Sequence, residues 1–214
     1  MKITKYTHAC VVLEKEGKKL IIDPGVFGTT PDDINNVTGI VITHNHGDHL
    51  DESQLKKIIA ANPQAVIITT ADTAARLAHP NIVTPKVGDK TTVGPFTLSF
   101  TGGMHALIYK NVPACQNFGV DVDNGTVYYP GDSFDLPSNA VHALLTPVSG
   151  PWLKMGEVMA FVETVKPKVC IPTHDGMLSD NGVKNVDSVL GGHCEQLHVA
   201  YSQLSAGQSL DLGF

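Results

Sequence analysis

The sequence predicts an α/β fold in which two β-sheets are covered by helices. Two observations favour it. The first quarter of the chain carries strand-like runs with no helical pattern between them, and the remainder alternates apolar strand-like runs with stretches of helical spacing. The chain has 214 residues, no obvious linker and no repeat, so residues 1–214 are expected to form a single domain.

In the first half, the predicted strands are KITKYT, ACVVLEKE and KKLIIDP, with a turn at Gly17, followed by GIVITH at 39–44. DESQLKKIIAANP has the pattern of a helix, with Asp51 as its N-cap and Pro63 beyond its end. AVIITT is predicted as the next strand and ADTAARLAH as a short helix.

In the second half, FTLSFTGG, NFGVDV and TVYYPG are predicted strands, the last two joined by a hairpin at 123–125. HALLTPV and KVCIPTH are apolar strands on either side of a predicted helix, MGEVMAFVETVK. VKNVDSVLGG is predicted to be the last helix and to end at its glycines.

The composition is 42% hydrophobic and 17% charged, which is typical of a globular protein. A net charge of -6 argues against a surface that binds nucleic acid. No apolar run approaches the roughly 18 residues that cross a bilayer, and the first residues alternate like a strand rather than a signal peptide. The four cysteines are scattered, which disfavours a disulfide framework or a Cys₄ zinc site. We therefore expect a cytoplasmic protein without a membrane segment.

The segment ITHNHGDHLD collects three histidines and two aspartates within ten positions. On a helix, His44 and His46 would diverge by about 200°, but on an extended segment they face the same side. Asp48 and His49 are adjacent, so a turn there directs them to a neighbouring point, and Gly47 supplies the backbone freedom that such a turn often needs. This pattern favours two cations close together over one.

Ligand-type residues also follow other predicted strands. GIVITH and KVCIPTH both end in Thr-His, and VYYPGD ends in an aspartate. The carboxyl ends of strands are where α/β sheets usually place their sites. The sequence thus predicts one site that is fed by several strands.

THNHGDHLD resembles the signature of the metallo-β-lactamase superfamily, the αββα two-metal hydrolases, and the resemblance covers nearly the whole chain. IDPG (22–25), GMHA (103–106), PGDS (130–133) and PTHD (172–175) are similar to further motifs of that superfamily, in the same order and spacing. The stretch PVSGPWLKMGEVMAFVETVKPKVCIPTHDG resembles the compact branch that includes the L-ascorbate-6-phosphate lactonase-like proteins. The resemblance implies a four-layer αββα sandwich.

The resemblance also implies a site for two divalent metal ions, with Zn²⁺ as the first choice and Mn²⁺ or Fe²⁺ as alternatives, because ligand type alone does not choose among them. One ion would be held by His44, His46 and His105, the second by Asp48, His49 and His174, with Asp132 bridging the two. Asp48 would also act in catalysis, by orienting the nucleophile or handling protons.

Five further residues are candidates for supporting or substrate-binding roles: Asp23, His8, Ser133, Trp152 and Lys154. Asp23 is expected to orient a ligand histidine rather than to bind metal. His8 lies in YTHAC, similar to a GH-small motif of some relatives, with threonine in place of the glycine. Trp152 either lines a pocket or belongs to the core, Ser133 either touches substrate or caps a turn, and Lys154 either pairs with an anionic group or stays solvated.

The function expected from the resemblance is hydrolysis, by metal-bound hydroxide, of an ester, lactone or phosphodiester bond in a small anionic metabolite. Two alternatives stay open. One is a mononuclear iron oxygenase of the persulfide dioxygenase type, and the other is a non-catalytic metal-binding protein. The complete second set of ligands, Asp48, His49 and His174, disfavours the oxygenase. The presence of all seven ligands disfavours the non-catalytic protein. The sequence leaves homo-oligomerisation open.

Overall fold

The computed structural model describes residues 1–28, 31 and 33–214. In chain order its strands are β1 (Lys2–Lys5), β2 (Val11–Lys15), β3 (Lys18–Ile22), β4 (Val37–Ile42), β5 (Val66–Thr69), β6 (Ile82–Val83), β7 (Lys90–Val93), β8 (Phe96–Met104), β9 (Gln116–Val122), β10 (Val127–Tyr129), β11 (Ala143–Pro147), β12 (Val169–Thr173), β13 (Ala200–Tyr201) and β14 (Ser209–Asp211). The helices are α1 (Glu52–Ala61), α2 (Ala71–Ala74), α3 (Met155–Val165), α4 (Asp180–Val186) and α5 (Gly192–Gln196), with a π-helical turn, Asp187–Gly191, between the last two.

The strands form two seven-stranded mixed sheets. The first has the order β14-β1-β2-β3-β4-β5-β6, in which β3 to β6 are parallel and the remaining pairs antiparallel. The second has the order β13-β12-β11-β10-β9-β8-β7, in which β10 to β13 are parallel. Each sheet therefore combines antiparallel strands with parallel strands, as expected from a chain whose early strands form hairpins and whose later strands alternate with helices.

Apolar side chains of the two sheets face each other and form the inner core. Its largest members include Ile3, Leu13, Leu20, Ile22, Phe96, Phe100 and Tyr129. Helix α1 covers the outer face of the first sheet through Leu55 and Ile58. Helix α3 covers the second through Val158, Phe161 and Val162. The layers run helix, sheet, sheet, helix, so the predicted αββα sandwich is confirmed.

Helix α1 begins as its sequence predicts. The Asp51 carboxylate accepts hydrogen bonds from the backbone N–H groups of Ser53 and Gln54, which would otherwise lack partners in the first turn. Such a cap stabilises a helix by about 1 kcal/mol. The helix ends at Ala61, just before Pro63. This cap also fixes where the histidine-rich loop ends.

Two predicted helices differ from the structure. The last helical stretch does not end at Gly191 and Gly192 but continues to Gln196. An ideal Cβ at Gly191 would lie 3.3 Å from the ring of Tyr201, so this glycine permits a close approach instead of ending the helix. The predicted helix ADTAARLAH is only Ala71–Ala74, because the Asp72 carboxylate bonds locally to Thr70 and Thr73.

Among the described helices, none combines the length and apolar character needed to cross a bilayer.

Candidate metal centre

The candidate ligands meet at the carboxyl ends of strands from both sheets. His44 follows β4, His105 follows β8, Asp132 follows β10 and His174 follows β12. The loop between β4 and α1 carries the others. Within the described residues, these side chains form two clusters that could each hold a metal ion, with the ligand atoms of a cluster within 4.8 Å of one another. The first cluster consists of His44, His46, His105 and Asp132. The second cluster consists of His8, Asp48, His49 and His174. All seven candidate ligands are thus brought together, and His8 joins them.

Asp132 lies between the two clusters. Its Oδ2 is 3.3 Å from Nε2 of His105 in the first cluster. Its Oδ1 is 3.1 Å from Nε2 of His49 and 3.2 Å from Nε2 of His174 in the second. The carboxylate is almost fully buried. Each cluster therefore has one oxygen of the same carboxylate beside it.

The histidines of the second cluster are oriented through their outer ring nitrogens. Nδ1 of His49 donates to Oδ2 of Asp23 at 2.6 Å, and Nδ1 of His174 donates to the carbonyl oxygen of Ser149. With Nδ1 donating, each ring presents a lone pair at Nε2 whenever it is neutral, and these two atoms lie 3.1 Å apart. Two facing lone pairs in a buried site repel each other unless a cation lies between them. The donor set fits a metal ion.

The first cluster is oriented in the same way. The Thr43 hydroxyl donates to Oδ2 of Asp23 at 2.7 Å and accepts from Nδ1 of His44 at 3.1 Å, so the inward Nε2 of His44 carries a lone pair. Nδ1 of His105 donates to the carbonyl oxygen of Ala106. In the described part of the chain, both Nε2 atoms and Oδ1 of Asp132 are buried without a hydrogen-bond partner. Unpartnered buried acceptors are costly without a cation, so this cluster also fits a metal.

Asp23 contacts a ligand histidine and offers no free oxygen to the clusters. Its Oδ1 accepts the backbone N–H of Thr43 at 2.8 Å, while Oδ2 accepts from the Thr43 hydroxyl and from His49. This is the orienting contact that the sequence predicts. Carboxylates placed behind a histidine fix its tautomer and raise its basicity.

His8 contacts a candidate ligand rather than acting as a free donor. The backbone N–H of Gly176 donates to Nδ1 of His8 at 3.0 Å, so the ring proton lies on Nε2. That nitrogen donates to Oδ2 of Asp48 at 3.1 Å. His8, Asp23 and His174 all have positive φ, a conformation that costs a non-glycine residue about 1–3 kcal/mol and that clusters at functional sites.

Burial and the neighbouring carboxylates shift the pKa values of the histidines in opposite directions. Burial lowers the pKa of His44 well below its usual value and also lowers that of His46. Although burial opposes it, the carboxylates of Asp132 and Asp23 raise the pKa of His49 well above its usual value. Burial likewise opposes protonation of His174, but the neighbouring carboxylates of Asp132 and Asp48 raise its pKa to about 9. In the absence of metal, protonation is therefore favoured at His49 and His174 and disfavoured at His44 and His46.

The histidine-rich loop depends on a glycine outside it. An ideal Cβ at Gly25 would lie 1.8 Å from the carbonyl oxygen of Asp48, so only glycine allows the two segments to pass. Gly47 has no left-handed backbone, and a Cβ there would meet no described atom within 4 Å. The expectation that Gly47 supplies the necessary freedom is therefore wrong, because the turn forms with ordinary backbone angles.

A cavity of about 280 Å³ opens onto the clusters. Trp152 lines it, is only 8% exposed, and donates from Nε1 to Oδ2 of Asp132. Lys154 is exposed just before α3 and does not line the cavity. Ser133 is buried in a turn, where its hydroxyl donates to the carbonyl oxygen of Pro130 and accepts from the backbone N–H of Asp135. Of these three candidates, the structure brings only Trp152 to the cavity.

Three residues at the centre were not singled out from the sequence. Thr43 precedes His44 and was readable as part of the motif. Ser149 contacts His174 through its backbone carbonyl, which every residue has, so the sequence could not identify it. Cys115 approaches the first cluster with Sγ 3.7 Å from Nε2 of His46, and no spacing in the sequence marks it.

Comparisons with known proteins show the family of the chain. The family model described as "Beta-lactamase superfamily domain" matches residues 2–174. Protein Rv0786c of Mycobacterium tuberculosis is 31% identical over 183 residues, which cover 84% of this chain and 86% of that protein. A UPF0173 metal-dependent hydrolase of Carboxydothermus hydrogenoformans is 30% identical over 195 residues, which cover 81% and 84% respectively.

Solved structures share the fold at lower identity. Igni18, described as a metallo hydrolase from Ignicoccus hospitalis, superposes with a TM-score of 0.73 at 19% identity, covering 100% of this chain and 98% of that one. At this identity the likeness extends to the fold alone.

Proposed function

This chain belongs to the beta-lactamase superfamily, and from that membership and the geometry of its centre we propose that it is a metal-dependent hydrolase with a two-ion site. One observation carries the proposal. The two oxygens of Asp132 each lie beside a different cluster of histidines. A carboxylate between two cations offsets their mutual repulsion, a task that one cation does not require.

The ligands we assign are those of the two clusters: His44, His46 and His105 for one ion, Asp48, His49 and His174 for the other, and Asp132 for both. Bound divalent ions would lower the pKa of a coordinated water and polarise the bond to be broken. Imidazole and carboxylate donors suit Zn²⁺, Mn²⁺ and Fe²⁺ alike, and of these we propose Zn²⁺ first.

In the proposed reaction, water adds across an ester bond. The water oxygen joins the acyl carbon, the acyl C–O bond breaks, and the alcohol leaves with one proton of the water. Asp48 lies at the cavity, and although partial burial opposes ionisation, its hydrogen bonds with His174 and His8 lower its pKa below the usual value. It is thus ionised and ready to accept a hydrogen bond from the attacking water. His8 fixes the direction of that carboxylate.

We propose a carboxylic ester or lactone as the bond broken, with a phosphodiester as the second choice. The mononuclear oxygenase reading is disfavoured because the second cluster has its own full set of donors. Lys154, the candidate partner for an anionic metabolite, lies outside the cavity.

Elemental analysis tests the two-ion proposal. Protein purified without chelator and re-equilibrated with Zn²⁺, Mn²⁺ or Fe²⁺ is expected to hold two ions per chain and to hydrolyse simple esters. One ion or fewer after reconstitution would count against the two-ion centre. Oxygen uptake with thiol substrates, and no ester hydrolysis, would favour the oxygenase instead.

A further inference from the structure

The walls of the cavity above the clusters are apolar. Its floor consists of candidate ligands, and its sides consist of Phe27, Ile108, Pro151, Trp152 and Met177. Phe27 and Met177 are 45% and 53% exposed, so large apolar side chains remain open to water at its mouth. Leu107 and Tyr109, on either side of Ile108, are exposed as well. Exposed apolar surface concentrated around a cavity indicates a binding surface.

No lysine or arginine lines this cavity among the described residues, and residues 29, 30 and 32, which lie outside them, are two threonines and an aspartate. Two lysines linked to the segments that line the cavity have other contacts. Lys110 lies over the ring of Tyr109, with Nζ 5.7 Å from its centroid. Lys5 is buried against Asp175 and lines a different cavity. The polar side chains that do line it, Asp48, Asp132 and three histidines, are the candidate metal ligands of its floor, so none of them is free to pair with a charge at the walls.

An anionic group against these walls would lose its hydration and gain no partner, and burial of an unpaired charge is strongly unfavourable. An uncharged apolar group would instead gain from leaving water. The volume of about 280 Å³ lies at the small end of ligand pockets, which run from about 300 to 1,000 Å³. The space suits one ring or one branched alkyl group.

We propose that the substrate is an uncharged ester whose aryl or branched-alkyl group lies against Phe27, Ile108 and Met177. This inference rests on the proposed hydrolase function and replaces the anionic substrate expected from the sequence. If this inference is right, the protein should prefer substrates that carry no charge on the group farthest from the metal ligands.

A matched pair of esters tests it on zinc-loaded protein. Phenyl acetate and 4-acetoxybenzoate differ by one carboxylate on the ring, and kcat/KM is expected to be at least about tenfold higher for the uncharged ester. Met177→Lys places a cation at the exposed wall and should shift the ratio of the two values towards 4-acetoxybenzoate by about tenfold. Met177→Leu, which keeps the wall apolar, should leave the ratio unchanged. Val83→Lys adds the same charge at an exposed position outside the cavity and should also leave it unchanged.

A binding measurement separates this inference from the hydrolase proposal. Trp152 is the only tryptophan of the chain and lines the cavity, so its fluorescence reports on occupancy without turnover. Acetophenone and 4-acetylbenzoate are ketones that cannot be hydrolysed, and acetophenone is expected to bind at least about tenfold more tightly.

The outcomes are distinct. Preferential binding of acetophenone without hydrolysis of either ester would sink the hydrolase proposal and leave the uncharged ligand standing. Equal or better use of 4-acetoxybenzoate, equal or tighter binding of 4-acetylbenzoate, or no binding of either ketone would overturn the inference. It would also be overturned if Met177→Lys dissociated a dimer without altering the ester ratio, because the wall would then be a contact between subunits.

Discussion

Nε1 of Trp152 donates a 2.8 Å hydrogen bond to Oδ2 of Asp132, which joins the wall of the cavity to the carboxylate between the two clusters. The indole is held from its other side by Phe134, with ring centroids 5.2 Å apart. Oδ1 of Asp132 has no hydrogen-bond donor among the described residues and faces His49 and His174. Trp152 thus sets the rotation of this carboxylate.

We expect Trp152→Phe to weaken metal binding by about 10–100-fold, as the loss of a group that orients a ligand typically does. Phe keeps an apolar ring in the wall but cannot donate to Asp132. Competition with a chromophoric chelator measures the affinity. Phe134→Leu is the control, because it alters the packing behind the indole and leaves the hydrogen bond in place. Unchanged affinity in Trp152→Phe, or an equal loss in Phe134→Leu, would exclude a specific role for the indole N–H.

Asp132→Ala is expected to lower the content of both metal ions, because its two oxygens serve different clusters. His174→Ala should lower mainly the second, since His174 belongs to one cluster only. Elemental analysis of both variants after equilibration with Zn²⁺ distinguishes the two patterns. An Asp132→Ala protein that kept two ions per chain would show that the carboxylate does not bridge them.

Gly25→Ala should destabilise the fold by about 1–3 kcal/mol, the usual cost of forcing extra atoms into a packed site. The added Cβ would collide with the Asp48 carbonyl and displace the loop of the second cluster, so metal affinity should fall as well. Gly47→Ala is the matched control within the same loop. It meets no neighbour and should leave stability unchanged or raise it by up to about 1 kcal/mol. Urea unfolding ranks the two, and the reverse order would contradict this packing.

In metal-free protein, His174 should make stability depend on pH. Its pKa is raised from 6.5 to about 9 by Asp132 and Asp48, against the effect of burial. A raised native pKa stabilises the fold fully below about 6.5, and that contribution is lost as the pH rises to about 9. The free energy of unfolding of chelator-treated protein should therefore fall between these values, and His174→Gln should lose much of this fall. A flat profile for the wild type, or the same slope in the variant, would contradict it.

The sequence was most informative where one local rule applied. The spacing of His44 and His46 required an extended segment to put both rings on one side, and both rings now lie in one cluster. Asp51 caps α1 because its carboxylate reaches backbone groups only two and three residues away. The strand ends of VYYPGD and KVCIPTH indicated that Asp132 and His174 would join them, although His174 lies 130 positions after His44, whereas His105 was indicated by the resemblance alone.

Other features could not be derived from the sequence, because they depend on tertiary contacts. The proton on His8 is placed by the backbone N–H of Gly176, 168 positions away. Lys154 had a plausible position in the chain, yet the start of α3 leaves it outside the cavity. Glycine is typical of the end of a helix, but Gly191 instead packs closely against Tyr201 and the helical stretch continues beyond it.

The long separation between His8 and Gly176 has a consequence for synthesis and folding. The backbone N–H of His174 donates to the carbonyl oxygen of His8, and Gly176 donates to its ring, so β1 and the loop after β12 must dock together. Pairing over such a distance carries a large loop-closure cost and forms slowly. On a ribosome, the HNHGDH segment emerges long before its partners, and the second cluster stays open until Gly176 has cleared the exit tunnel. A second metal ion, if bound as proposed, would therefore enter its cluster only after this long-range contact has formed.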